Sequence, residues 1–415
     1  MEAAARMAAA QPEKRCTPML RILLDLGLLG LLTSTAFTLL AIAGLRRFLR
    51  EPAAAVELSF TPPVSLFKPL HGAEPNLEAH LETFFLQDYP RFEILFCARS
   101  AGDPGLSVAR RVAARHPQIA ARFLTTGEDT YSNAKVSSLE RMHAAARHNI
   151  FVISDSDVRV SPGYLREVIA PLADDAVGAV TCLYRGVADG TLWSKLEAAG
   201  MSVEMTSGVL AANLLEGMRF ALGPTMAVRR RCVERMGGFG VLGPYCSDDF
   251  LLGARVAEQG EVVVLSRHVI DHIILNIGFL DSLQHQTRWM KSTRFSRPLG
   301  HLGTGLTFSV PFGILACAGA AGLHHPVAGL SLLAYGIAQR MLLAALLGSG
   351  AVHERQPLRT VLLYPIRDLL GFCCWAASYL GSTILWRGNR YRLTRGGLMH
   401  PLSVQSGEPE SRVPA

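Results

Sequence analysis

Two acidic strings carry the first chemical suggestion in this chain. Asp155-Ser156-Asp157 follows the short apolar run Ile150-Phe151-Val152-Ile153. A strand that ends in two carboxylates, one residue apart, aims both outward from a sheet edge. Such a pair suits a hard divalent cation, which takes oxygen ligands and can bridge diphosphate oxygens. Mg²⁺ or Mn²⁺ held there would neutralise a departing diphosphate electrostatically. Asp-Ser-Asp is also ordinary turn chemistry; its place after a buried strand favours the functional reading, with Asp155 and Asp157 as metal ligands. Further on, Ser247-Asp248-Asp249-Phe250 opens the helical stretch Phe250 to Glu258. One carboxylate there caps the helix and complements its dipole. The other is available as a general base.

Two more strings add cations and an aromatic wall. His285-Gln286-Thr287-Arg288-Trp289 has a spacing that brings His285, Arg288 and Trp289 near one helix face or its border. The plain alternative is an interfacial amphipathic helix. Asn133-Ala134-Lys135 starts another helical stretch. Lys135 can reach a phosphate there, helped by the helix N-terminus; otherwise it is a solvated helix-start lysine.

These residues need elements to position them. Val64 to Phe67, Phe92 to Phe96, Ile150 to Ile153, Val177 to Leu183 and Val262 to Leu265 read as strands. Helical stretches alternate with them, at Leu77 to Leu86, Val108 to Arg115 and Val136 to Ala146. Alternation of this kind predicts an α/β domain with a mostly parallel sheet covered on both faces. Ligands then bind at the carboxyl ends of the strands, where Asp155 stands.

Membrane-grade segments flank that domain. Leu26 to Leu45 is uncharged and long enough to cross a bilayer, which takes about 20 residues. Arg46, Arg47 and Arg50 follow it and place the next domain in the cytosol by the positive-inside rule. Phe279 to Arg297 mixes basic and aromatic residues, as a helix lying in the membrane interface does. Three apolar blocks follow: Leu302 to Leu323, Val327 to Leu347 and Leu358 to Trp386. Three crossings would put the basic Arg387-to-Arg392 segment outside the cell, against the same rule. One block is then re-entrant or interfacial, and the Arg367 region is the candidate. The expected organisation is a disordered tail at 1–17, an anchor at 18–45, a linker at 46–61 and a catalytic domain at 62–275. An interfacial helix at 276–300, transmembrane helices at 301–388 and a basic, then disordered, tail at 389–415 complete it.

Composition agrees with a membrane enzyme. The 415 residues are 49% hydrophobic and only 18% charged, with a net charge of +7. Soluble domains average about 25% charged residues. The positive balance fits membrane lipids or phosphates; the scatter of the basic residues argues against nucleic acid. The eight cysteines form no CxxC pair or His/Cys cluster, which argues against zinc and a disulfide framework. An Ala/Arg-rich, compact chain of this kind suggests a bacterial inner membrane.

Taken in order, the strings resemble the membrane-bound ceramide glucosyltransferase family and its bacterial relatives. The carriers are Phe67-Lys68-Pro69-Leu70-His71-Gly72, Asn133-Ala134-Lys135, Asp155 to Val160, Gly223-Pro224-Thr225-Met226-Ala227-Val228-Arg229-Arg230, Asp248-Asp249-Phe250 and the Arg288-Trp289 string. The resemblance spans nearly the whole chain. It implies a GT-A nucleotide-sugar (Rossmann-like) fold plus transmembrane helices, a UDP-sugar donor, a ceramide-type acceptor and inversion at the anomeric carbon. It makes Asp249 the base, gives Asp155 and Asp157 the metal–diphosphate contact, and sets Arg288 and Trp289 along the donor and acceptor site. Lys135, Asn133, Asp248, His285 and Asp103 complete the expected substrate contacts. Three departures stand out. His285 occupies the first place of the usual (Gln/Arg)xxArgTrp motif. Ser100 stands where the family has an early uridine-side Asp, with Asp103 shortly after. No His lies between His148 and His268, where the animal enzymes carry one. The rival readings are a hopanoid N-acetylglucosaminyltransferase, a processive polysaccharide synthase and a non-catalytic membrane scaffold.

Overall fold

The structure is a computed structural model that describes residues 11–50, 59–188, 190–275 and 278–402, with side chains from Thr17 onward. The expected disordered ends at 1–10 and 403–415, and residues 51–58 of the expected linker, lie outside the described residues. Helix α1, Gln11–Arg50, starts earlier and ends later than the 18–45 anchor read from the sequence. The charged flanks, rich in Glu, Lys and Arg, are good helix formers. They extend a helix whose apolar stretch alone marked it in the sequence.

The catalytic domain is built on β1 Val64–Pro69, α2 Leu77–Phe85, β2 Phe92–Ala98, α3 Pro104–Arg115, β3 Ala120–Thr125, α4 Ala134–Ala145, β4 Ile150–Ser154 and β5 Val158–Arg159. Helix α5 Tyr164–Ile169, strand β6 Val177–Ala188, helices α6 Leu192–Ala199 and α7 Thr206–Glu216, strand β7 Thr225–Arg229, helices α8 Arg230–Arg235 and α9 Asp248–Glu258, and strand β8 Val262–Ile274 follow. A π-helical turn, Gly200–Met205, joins α6 to α7. The eight-stranded sheet runs β3-β2-β1-β4-β7-β6-β8-β5.

Strands β1 and β4 are buried at every position, as continuous apolar runs in a covered sheet should be. Phe67 stacks on Phe151 with centroids 4.9 Å apart, and Phe239 closes on both rings. Burying each such ring contributes about 1.5–3 kcal/mol. The sheet is less parallel than the sequence suggested. Strands β3, β2, β1 and β4 are parallel, but β7 runs against both β4 and β6, and β5 against β8. The chain between β6 and β7 leaves the sheet through α6 and α7, and α7 packs against α1, so the return is not a simple crossover and β7 enters antiparallel to β6.

A helix, α10 Phe279–Ser296, occupies the segment read as interfacial, and α11 Pro298–Gly305, α12 Val310–Gly322, α13 Pro326–Gly350 and α14 Pro357–Ala377 follow it. Thr17–Arg50, α13 and α14 are long and apolar enough to cross a membrane, and α11 with α12 forms a pair bent by 47°. Pro365 does not interrupt α14, and the charges beside it are paired within the protein. Arg367 Nη2 meets Glu204 Oε2 at 2.8 Å, and Asp368 Oδ2 accepts the backbone N–H groups of Ser309 and Val310 at 2.9 and 2.8 Å. The chain then forms a small antiparallel sheet of β9 Thr383–Trp386, β10 Asn389–Thr394 and β11 Leu398–Pro401. The basic segment read as part of a tail is therefore an ordered strand. Its sheet packs Ile384, Leu393 and Met399 against Phe295 and Cys246.

Candidate active site

The two acidic strings meet at one lysine. Asp155 follows the carboxyl end of β4, and Asp248 begins α9. Lys135, at the start of α4, places its Nζ 2.7 Å from Asp155 Oδ1 and 3.6 Å from Asp248 Oδ2. Burial would lower the Lys135 pKa, but these carboxylates override it and raise it. Asn133 caps α4 by accepting the Lys135 N–H, and its Nδ2 donates to Asp248 Oδ1 at 3.1 Å and to the Tyr245 carbonyl at 3.0 Å. Asp248 is thus the structural member of its pair.

Asp249 is held differently. Its Oδ2 accepts the Gly223 N–H and its Oδ1 the Phe250 N–H, both at 2.8 Å. A Cβ at Gly223 would lie 3.0 Å from Oδ2, so this approach suits glycine. Burial and the neighbouring Asp248 charge push the Asp249 carboxyl up to about 6, against the pull of Lys135. A carboxylate tuned this way is ionised at neutral pH yet basic enough to take a proton.

Asp157 has different partners. Its Oδ2 meets His272 Nε2 at 3.1 Å, while its buried Oδ1 has no hydrogen-bond partner. Burial opposes ionisation, but the His272 charge, their hydrogen bond and Lys68 hold the carboxyl down at about 2. Lys68, fully buried in β1, lies over the Phe84 ring and donates to Ser154 Oγ and the Asp155 carbonyl. Burial brings its pKa down to about 7, against the pull of Asp155, Asp157 and Glu74. Among the described residues no three His, Cys, Asp or Glu side chains form a ready metal cage. The ionised Asp157, with its orphaned oxygen, and the adjacent Asp155 nevertheless fit Mg²⁺ or Mn²⁺, whose remaining ligands would come from a diphosphate.

Helix α10 meets this centre through aromatic contacts. The His285 and Trp289 rings lie 4.4 Å apart, and Trp289 lies 6.5 Å from His272, the partner of Asp157. Arg288 sits over Trp386 of β9 with 5.7 Å to the ring. Burial lowers its pKa to about 10, which leaves the cation intact at neutral pH. Ser247, just before Asp248, hydrogen-bonds Ser292 at 2.8 Å and Ser296 at 3.0 Å on α10. The segment leading into Asp248 and the Arg-Trp helix are therefore fastened together.

Asp103 lies elsewhere in the hydrogen-bond pattern. It caps α3 through the Gly105 N–H and receives the Gly72 N–H on both oxygens, shaping the loop after β1. Other contributors escaped the sequence reading. Glu197 on α6 accepts from Ser282 Oγ and meets His285 Nδ1 at 2.7 Å. His272, Lys68 and Trp386 are the others. The signal available for Lys68 and His272 was a charged residue inside an apolar strand, which burial tolerates only with a partner.

The backbone resembles that of the mannosyltransferase PcManGT from Pyrobaculum calidifontis, solved with GDP-Man and Mn²⁺. The TM-score is 0.56 at 20% identity, covering 86% of this chain and 99% of that one. A mixed sheet of this topology is a GT-A-like fold. The chain belongs to glycosyl transferase family 21, whose model matches residues 27–399. It is an enzyme of the hexosyl-transferring kind. Ceramide glucosyltransferase 1 of Caenorhabditis elegans is 25% identical over 355 residues, covering 84% of this chain and 76% of the relative. The ceramide glucosyltransferase of Komagataella phaffii is 35% identical over 113 residues, 26% of this chain and 22% of the relative.

Proposed function

We propose that this enzyme transfers glucose from a UDP-sugar to the primary hydroxyl of ceramide by a single, inverting displacement. The observation that carries the reading is the convergence of both acidic motifs on Lys135, with Asp249 beside them. The names of the relatives support ceramide as acceptor. Asp249 takes the hydroxyl proton as that oxygen attacks the anomeric carbon from the face opposite the diphosphate. The bond to UDP breaks in the same step. Asp155 and Asp157 would hold Mg²⁺ or Mn²⁺, which supplies charge neutralisation for the leaving diphosphate. Lys135 holds Asp155 and Asp248 in place, and it adds positive charge to the diphosphate side. Arg288 offers forked donors that suit phosphate oxygens. Trp289 walls the site on the side of α10, from which the lipid headgroup enters. The Arg46, Arg47 and Arg50 cluster supports a cytosolic catalytic face.

The test uses purified protein in lipid nanodiscs with ceramide and a hopanoid presented separately. UDP-glucose and UDP-N-acetylglucosamine are each supplied, and the lipid products are weighed by mass spectrometry. Glucosylceramide formation is expected. Product on the hopanoid alone would overturn the acceptor assignment, and product from UDP-N-acetylglucosamine alone the donor.

A further inference from the structure

Away from the reacting groups, three guanidinium groups converge on one buried carboxylate. Asp271 of β8 is 5% exposed. Its Oδ1 accepts from Arg185 Nε at 2.9 Å, and its Oδ2 from Arg159 Nη2 at 2.8 Å and Arg355 Nη2 at 2.7 Å. The arginines come from β6, from β5 and from the loop between α13 and α14. Arg185 also ties that loop down by donating to the Val352 and His353 carbonyls at 3.1 and 2.6 Å. One negative charge cannot balance three positive ones. The nearby Glu354 carboxylate accepts the Gln356 N–H at 3.3 Å. Arg355 and Arg159 have side chains 57% and 36% exposed, so N–H donors on both still face outward.

An apolar stripe starts directly beyond this excess charge. Leu358, Leu362 and Ile366 of α14 are 71%, 57% and 56% exposed. Their spacing of four residues puts them on one helix face. The opposite face carries the buried Tyr364, Arg367 and Asp368 and packs inward. Basic side chains at the head of an exposed apolar helix face, in a chain with membrane-length helices, match a lipid more closely than a soluble anion. A free phosphate would leave the stripe uncovered.

We infer that Arg355 and Arg159 bind the phosphate of an anionic phospholipid whose acyl chain lies along Leu358, Leu362 and Ile366. The inference does not depend on the donor or acceptor being those proposed above. The occupant bridges the membrane helices and the edge of the catalytic sheet. Arg159 pairs in register with Asp271, one residue from the His272 that holds Asp157.

The full chain, reconstituted with phosphatidylcholine and phosphatidylglycerol, is extracted mildly and its retained lipids are counted by native mass spectrometry. The wild type is expected to retain phosphatidylglycerol in preference to phosphatidylcholine, and excess inorganic phosphate should not displace it. Arg355→Gln should lose the preference, while Arg355→Lys, which keeps the charge, should largely retain it. Asp271 stays paired with Arg159 and Arg185 in both variants, and thermal unfolding checks that they fold. Equal lipid retention in wild type and Arg355→Gln would overturn the assignment. Displacement by phosphate would too, since it marks a site for soluble anions.

Discussion

At the residue scale the proposed roles of Asp249 and Asp155 rest on their different surroundings. The Asp249 carboxyl is raised to about 6 by burial and Asp248, so it gains a proton as pH falls through that value. A base must be ionised, so kcat/KM should fall on the acid side with a limb near pH 6. Asp249→Asn should lower kcat by about 10²–10⁴-fold, the usual contribution of a general base, and abolish that limb. UDP-sugar binding should change little, because Asn133 and Lys135 hold the neighbouring Asp248 without it. Near-normal turnover in the mutant would remove Asp249 from the role. Asp155→Ala should act on binding instead. Titration of UDP with and without Mn²⁺ should show most of the metal enhancement gone; an undiminished enhancement would argue against Asp155 as a metal-side ligand. These residues were legible in the sequence because each sits in a short motif with local geometry. His272 and Glu197 were not, since their partners Asp157 and His285 come from elements more than a hundred and nearly ninety residues away.

At the scale of elements, α10 ties several parts of the fold together. It receives the segment leading into Asp248 through Ser292 and Ser296, the π-linked α6 through Glu197, and the C-terminal strands through Arg288. Its amphipathic composition was readable, but these attachments were not, because hydroxyl pairs carry no periodic signal. The C-terminal strands were the larger omission. Arg387 to Arg392 reads as a charged tail, yet alternate residues of β10 face a small apolar cluster while the arginines face outward. Cys246 N–H donates to the Gly397 carbonyl at 3.0 Å, and Met399 N–H to the Pro244 carbonyl at 2.8 Å. The small sheet thus buttresses the segment leading into Asp248. Arg288 lies between the two, so substitution there should separate charge from shape. Lys keeps the charge but loses the planar fork that sits over Trp386 and that would suit two phosphate oxygens at once. Arg288→Lys should therefore raise the UDP-sugar KM by about tenfold or more, as the loss of about 1.4 kcal/mol would. An unchanged KM would place Arg288 outside the donor site.

The whole molecule bears on the parity question that the hydropathy blocks raised. Helix α12 runs antiparallel to α1: Gly30 lies against Phe312, and Gly319 so close to Leu20 and Leu24 that a Cβ would come within 2.5 Å of the Leu24 nitrogen. Helix α13 runs back, with Gly336 beside Leu31 and Gly350 beside Leu45. Helix α14 begins next to Arg355, which is paired with Asp271 of the catalytic sheet. It ends at Ser378, whose carbonyl accepts from Arg294 of α10 at 2.7 Å. Both ends of α14 thus contact groups on the catalytic side. We propose that α1, the bent α11–α12 pair and α13 cross the bilayer, and that α14, itself long and apolar enough to cross, lies along the catalytic face and exposes Leu358, Leu362 and Ile366 to lipid. On that proposal two C-terminal crossings cancel; the terminal sheet packs on the catalytic domain, where Leu398 pairs with Tyr245. Its arginines then sit on the side that the positive-inside rule requires. Single cysteines introduced into a variant lacking the native ones test this directly. Ser292→Cys and Arg392→Cys should resist a membrane-impermeant maleimide applied to intact cells, and His324→Cys, in the turn between α12 and α13, should react. Labelling of Arg392→Cys from outside would mean that α14 crosses the membrane, and labelling of Ser292→Cys would invert the whole orientation.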